Sequence, residues 1–251
     1  MNAPTVGSLF AGIGGFDLGF EREGYEVRWQ VEIDEYCQKV LAKHWPHVPR
    51  YDDVRDCGLH NLEPVDVITG GFPCQDLSVA GKQEGLDGER SALWWDYHRI
   101  ISELRPRFAV VENVPNLLNR GIDRVCGSLA EIGYDSEWHI VSAADVGAPQ
   151  LRKRAWLCTW PMADTDGTGF GERCGSEPVE AQYQCAERRS ASSRWQNSYN
   201  ENWATEPSIC RVLDGIPHRV DRLRGLGNAI VPQIAQQIAR ALKPHVEMVM
   251  A

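Results

Sequence analysis

Three kinds of reactive side chain stand at the ends of apolar runs in this chain. Cys74 lies in "GGFPCQDLSVAG", directly after the β-rich run Val65–Thr69. Glu112 closes "FAVVE", and Arg152 and Arg154 stand at i, i+2 just ahead of "AWLCT". A short apolar run that empties into glycines, a proline and a cysteine reads as a buried strand ending in a tight loop. Such a cysteine is a packed thiol, half of a disulfide, a metal ligand or a nucleophile. A glutamate behind four apolar residues is partly desolvated, which raises its pKa and lets it carry a proton near neutral pH. The alternative is an ordinary strand-end acid. Two arginines two apart in extended chain project from one face and suit a phosphate or a developing anion. Their alternative is solvated surface charge.

The elements that must position these residues alternate. Strand-like runs cover Val6–Phe10, Glu26–Glu32, Val65–Thr69, Phe108–Glu112, Trp138–Ser142 and Ala155–Thr159. Helix-like segments cover Phe16–Glu23, Glu35–His44, Leu93–Leu104 and Ile122–Ile132. This alternation predicts an α/β fold with a mostly parallel sheet covered on both faces. Ligands of such sheets bind outside the carboxyl ends of the strands, so thiol, acid and arginines converge on one edge. In "SLFAGIGGFDLGFE" a strand ends at Phe10, Gly12, Gly14 and Gly15 make a turn, and a helix follows. Asp17 occupies the place of the last glycine of a G-x-G-x-x-G pattern. Glu32 follows Gly12 by 20 residues and ends the second strand, where a carboxylate can accept from both hydroxyls of a ribose. Together they favour an adenosine-containing cofactor.

Length and composition narrow the class. A chain of 251 residues with 43% hydrophobic content suits one large domain, or one with a small appendage. No run approaches the roughly 18 apolar residues of a membrane span, and "MNAPTVGSLF" carries no export signal, so a soluble cytoplasmic protein is expected. The eight cysteines include no Cys-x-x-Cys pair and no zinc-ligand spacing, which predicts reduced, mostly buried thiols and no metal. A net charge of −9 argues against a protein that coats nucleic acid non-specifically, while leaving room for local basic patches such as "QLRKR". From Pro161 to Glu206 there is no Leu or Ile and a single Val. That window predicts a loop-rich insertion between a first unit, 1–160, and a return segment, 207–251, whose helix opens at Pro232 and runs through Leu242.

In number, order and spacing these stretches resemble the cytosine-C5 DNA methyltransferases over nearly the whole chain. "LFAGIGGF", "VEID" and "DDV" resemble the first three motifs of that family, and "GFPCQDLSVAGKQEGLDGERSALWW" its catalytic loop. "VVENV", "QLRKR" and "RLRGLGNAIVPQ" resemble its glutamate, arginine and closing motifs. The resemblance implies a class I methyltransferase fold, a Rossmann-like sheet, with S-adenosyl-L-methionine as cofactor. It assigns the cofactor to Phe10, Gly12, Ile13, Gly14, Gly15, Glu32, Ile33, Asp53, Val54, Pro73, Leu93 and Asn228. Ile33 stands where several relatives carry tryptophan. It makes Cys74 the nucleophile at C6 of a flipped-out cytosine and Glu112 the residue that supports a proton at N3, and it places Arg152 and Arg154 at the base carbonyl and neighbouring backbone. Double-stranded DNA would be met by Gln75, Ser78, Lys82, Arg90, Asn113 and Gln150, and the protein would work as a monomer. The 161–206 window is a reduced target-recognition region, acidic in balance, in a compact form typical of phages and prophages.

Two rivals remain on sequence grounds. A tRNA cytosine-C5 methyltransferase shares the Pro-Cys-Gln loop, but such relatives carry a Cys-Phe-Thr element that does not occur here. A catalytically dead binding protein would keep the fold and lose residues needed for chemistry, and none of those is missing. A nicotinamide or other thiol enzyme fits less well, since the turn misses the dinucleotide pattern.

Overall fold

Val6, Val67, Ile68, Val110 and Val111 are all buried to within 1% exposure, as strands covered on both faces require. The computed structural model of the protein describes residues 3–73, 93–162 and 225–248. Its strands are β1 (Thr5–Leu9), β2 (Glu26–Val31), β3 (Arg50–Tyr51), β4 (Val67–Gly70), β5 (Phe108–Asn113), β6 (Tyr134–Ser142) and β7 (Lys153–Pro161). They form one seven-stranded sheet in the order β3-β2-β1-β4-β5-β7-β6. Among the described residues the helices are α1 (Gly15–Glu21), α2 (Glu35–His44), α3 (Leu93–Leu104), α4 (Leu117–Arg120), α5 (Ile122–Glu131) and α6 (Pro232–Met248), and 225–228 form a further helical turn.

Each face of the sheet carries its own core. On one face Trp29, Ile68 and Val111 meet Trp94, Tyr97, Ile100 and Ile101 of α3 and Leu129 of α5. On the other, Val6, Val67, Val110 and Trp156 meet Phe16 and Phe20 of α1 and Ile234, Ala239 and Val246 of α6. Glu23 ties α1 to α6, accepting from Gln236 Nε2 at 2.7 Å and Arg240 Nη2 at 2.7 Å. Asp34 caps α2, accepting from the N–H groups of Tyr36 and Cys37. Proline opens α6 as the sequence predicts, but the helix runs past Leu242 and through Pro244, because Val246 still packs into the core.

Two features of the sheet escape the sequence pattern. One is β3, only two residues long and paired with Gln30 and Val31 of β2. The other is the direction of β7, which runs antiparallel to both β5 and β6 while the remaining pairs are parallel. The reversal follows a 3₁₀ turn over Ala143–Val146, capped by Ser142 and closed at Gly147 with a left-handed φ of 84°. Because β7 runs backwards, its first residues lie beside the last residues of β5, with Ala155 opposite Asn113 and Trp156 opposite Glu112. This register brings the arginine element to the glutamate. Of the 161–206 window only Pro161 and Met162 fall within the described residues.

Candidate active site

The glycine turn is built around Glu32. The carboxylate accepts from the Gly12 N–H at 2.7 Å on one oxygen and from the Asp34 N–H at 2.8 Å on the other. Burial raises its pKa, and these backbone donors oppose the rise. Each oxygen keeps a lone pair for a further donor. Phe10, at φ 52°, turns the chain out of β1 and sets its ring 6.2 Å from that of Tyr97. Ile33 is 66% exposed at the mouth of the same cleft. Asp53 caps the next 3₁₀ turn, and Arg55 grips its carboxylate, which holds the Asp53 pKa low.

Beneath the turn lies a buried polar node. Asp17, on α1, is wholly inaccessible and accepts from Ser8 Oγ of β1 at 2.8 Å, and that hydroxyl is 3.2 Å from Thr69 Oγ1 of β4. Burial pushes the Asp17 pKa up to about 6, with hydrogen bonds from its neighbours opposing the rise.

Across the cleft stands Glu112, 9% exposed at the end of β5. Arg154 Nε lies 3.0 Å from its Oε1. Burial raises the Glu112 pKa to about 7, against the opposing pull of Arg154 and then Arg152. Its other oxygen sits over Gly71, where a Cβ would come within 2.8 Å of Oε2. Glycine is therefore required in the strand-end loop to admit the acid. Arg152 is oriented differently from Arg154: it donates to Gly227 O at 2.6 Å and Ala229 O at 2.9 Å.

A cleft of about 870 Å³ joins the two sides. It is lined by Phe10, Gly12, Glu32, Ile33, Asp53, Val54, Pro73, Leu93 and Asn228 from the expected cofactor set, and by Glu112, Arg152 and Arg154. Ile13, Gly14 and Gly15 do not line it. The open side of Gly14 is filled by the Trp45 ring, that of Gly15 by the Ile230 backbone, and Ile13 packs beside Gly225. Close approach at Gly14 and Gly15 is thus by protein. Asn113, expected to face DNA, is only 3% exposed; its amide donates to Phe72 O at 3.3 Å and its carbonyl accepts from Val114 N, which anchors the loop that leads to Cys74. Gln150 is exposed at the surface. Cys74, Gln75, Ser78, Lys82 and Arg90 lie outside the described residues. The sequence does not mark Gly71 or Arg55 as part of the site, and it marks Asp17 only as a departure from the glycine pattern; the second glycine of "GGFPC" is the available signal for Gly71.

Cys37, Cys57, Cys126 and Cys158 form no disulfide among the described residues, and burial pushes the Cys158 pKa up to about 12. Among the described residues, no three His, Cys, Asp or Glu side chains are grouped to hold a metal ion, and no helix is long and apolar enough to cross a membrane.

Residues 5–161 match the model of a protein family described as C-5 cytosine-specific DNA methylase. The chain is 39% identical over 175 residues to the type II methyltransferase M2.BsuMI of Bacillus subtilis, covering 66% of this chain and 44% of that one. It is 33% identical over 153 residues to M.HhaI of Haemophilus parahaemolyticus, covering 59% and 46%. Among solved structures, one described as a DNA modification methyltransferase encoded within an E. coli prophage superposes with a TM-score of 0.54 at 29% identity, over 63% of this chain and 47% of that one. The chain thus spans somewhat under half the length of these relatives. The sheet and its neighbours identify the class I S-adenosylmethionine-dependent methyltransferase fold.

Proposed function

The chain belongs to the C-5 cytosine-specific DNA methylase family, and we propose that it transfers a methyl group from S-adenosylmethionine to C5 of cytosine in double-stranded DNA. The observation that carries this reading is the buried Glu112–Arg154 pair, facing across one cleft the Glu32 carboxylate and its glycine turn.

The cleft suits the cofactor. Its volume, about 870 Å³, is in the range of small-molecule sites. Glu32 offers fixed acceptors for two ribose hydroxyls, Phe10 and Ile33 offer apolar surface for a purine, and Asp53 an acceptor for its amino group. Bound there, S-adenosylmethionine supplies an electrophilic methyl group on a sulfonium.

The protein's own residues make C5 reactive. Cytosine C5 is a poor nucleophile, so the aromatic ring must first be broken. Cys74 adds as a thiolate to C6, forming a C–S bond. Glu112, with its pKa near 7, holds a proton at N3, and the displaced electron pair builds up at C5. Arg154 keeps Glu112 in place and has guanidinium N–H groups left for the base carbonyl. Once C5 has gained the methyl group and lost its proton, the C–S bond breaks, Cys74 leaves and aromaticity returns. A base inside a duplex is out of reach, so the target is flipped out. Gln75, Ser78, Lys82, Arg90 and the exposed Gln150 are the proposed DNA contacts.

Incubation with radiolabelled S-adenosylmethionine, duplex DNA and tRNA, beside Cys74→Ala, tests this. Label is expected on DNA and lost in the variant. Label on tRNA alone overturns the DNA substrate, and label retained by Cys74→Ala overturns the covalent route.

A further inference from the structure

The motif resemblance pairs Arg152 with Arg154 at the target base, yet the Arg152 guanidinium is turned toward the chain's closing segment. Its two Nη atoms donate to the carbonyls of Gly227, at 2.6 Å, and Ala229, at 2.9 Å. Two carbonyls two residues apart, caught by the two arms of one planar cation, make a directional clasp that a lysine cannot reproduce.

What the clasp holds is the stretch that crosses the glycine turn. A Cβ on Gly15 would meet Ile230 O at 2.6 Å, and one on Gly19 would meet Pro232 O at 2.7 Å. Gly225 packs on Ile13 and Tyr36, while Gly227 and Asn228 face the cleft. So 225–231 lies on α1 and the turn from one side and is fastened by Arg152 from the other. Burial contributes little at its middle: Leu226, Gly227 and Asn228 are exposed. Residues 225–228 are a helical turn, and Ala229 N–H donates to Leu226 O at 3.3 Å just beyond it, so 229–231, which carry the second acceptor, lie past the end of that turn.

We propose that Arg152 is a positioning residue, a latch that fastens 225–231 over the glycine turn, so that cofactor affinity depends on a side chain from the target-base half of the cleft. The proposal rests on the reading of that turn as the cofactor site. It also makes the two halves interdependent. Arg152 is two residues from Arg154, which holds Glu112, so cofactor bound against Asn228 and order at the start of β7 favour one another reciprocally.

Calorimetric titration with S-adenosylhomocysteine, in the absence of DNA, separates the latch from a base contact. Arg152→Ala is expected to raise Kd by about tenfold or more, given the usual strength of hydrogen bonds to a charged group. Arg152→Lys should fall between Ala and wild type. In Arg152→Ala, amide exchange at 226–230 should quicken while β5 and α1 keep their protection. Wild-type Kd in Arg152→Ala with unchanged exchange at 226–230 overturns the latch. If exchange quickens throughout β5 and α1, that variant has lost the fold, and Arg152→Lys decides on the same two measurements. If wild type itself fails to bind S-adenosylhomocysteine, the cofactor reading fails, while exchange at 226–230 still tests the clasp.

Discussion

Glu32 and Glu112 look alike in sequence, each a glutamate at the end of an apolar run, and the protein makes different things of them. Both stand at the carboxyl edge of the sheet, both line the cleft, and burial is the main reason both pKa values rise. The difference lies in the partners. Glu32 is held by neutral backbone donors, from Gly12 and Asp34, which fix the carboxylate while keeping it an acceptor. Glu112 is held by a guanidinium, and the balance between burial and that cation leaves it near 7, able to take or release a proton at neutral pH. The same residue type becomes a rigid acceptor on one side and, on the proposed reading, a proton site on the other.

The comparison breaks most visibly at Glu112. Glu112→Gln keeps the shape and removes the titrating proton, and its single-turnover methylation rate is expected to fall by about 10²- to 10⁴-fold. S-adenosylhomocysteine affinity should not change. The wild-type carboxyl loses its proton as pH rises through about 7, so its rate should decline on the alkaline side. A pH profile of Glu112→Gln should lack that limb; an unchanged profile would remove Glu112 from the proton step.

Glu32→Ala is the next largest effect. It should weaken S-adenosylhomocysteine binding by about tenfold or more, with little change in rate at saturating cofactor. A rate loss with normal affinity would show that the two glutamates are not divided in this way.

Asp17 sharpens the contrast, being a third buried carboxyl, with only neutral neighbours as donors and no cation. Its folded pKa, about 6, exceeds the ordinary carboxyl value of 3.8, so its contribution to stability is full below about pH 4 and lost as pH rises through 6. Asp17→Asn should remove that loss and stabilise the protein by on the order of 2 kcal/mol at pH 8, with little gain at pH 4. Urea denaturation at the two pH values checks it. The smallest effect belongs to a carboxylate in water. Glu63 makes an exposed pair with Arg28 at 2.7 Å, and Glu63→Gln should change stability by less than about 1 kcal/mol at any pH.

Much of this arrangement was readable in the residues. Apolar runs ending in Glu112 and in Gly70–Pro73 announce strands that open on a site, and the spacing from Gly12 to Glu32 announces a turn and its acid. What could not be read depends on contacts between distant parts of the chain. Periodicity carries no strand direction, so the reversal of β7 was invisible, although it alone brings Arg154 to Glu112. Two residues, Arg50 and Tyr51, are too short a run to signal a strand. Arg152 and its acceptors are separated by 75 and 77 positions. Asp17 looks like a departure from a glycine pattern, because Ser8 meets it, and Thr69 meets Ser8, only once three elements have packed.

The packing of α6 and 225–231 on α1 also has a consequence for synthesis. Gln236 and Lys243 bond to Glu23, and Tyr25 to Ala239, across 213, 220 and 214 positions. The glycine turn leaves the ribosome more than two hundred residues ahead of the stretch that covers it. A nascent chain that stops short of residue 225 therefore carries the turn without its cover. Tight binding at the turn is expected only of chains that extend through the covering stretch and α6.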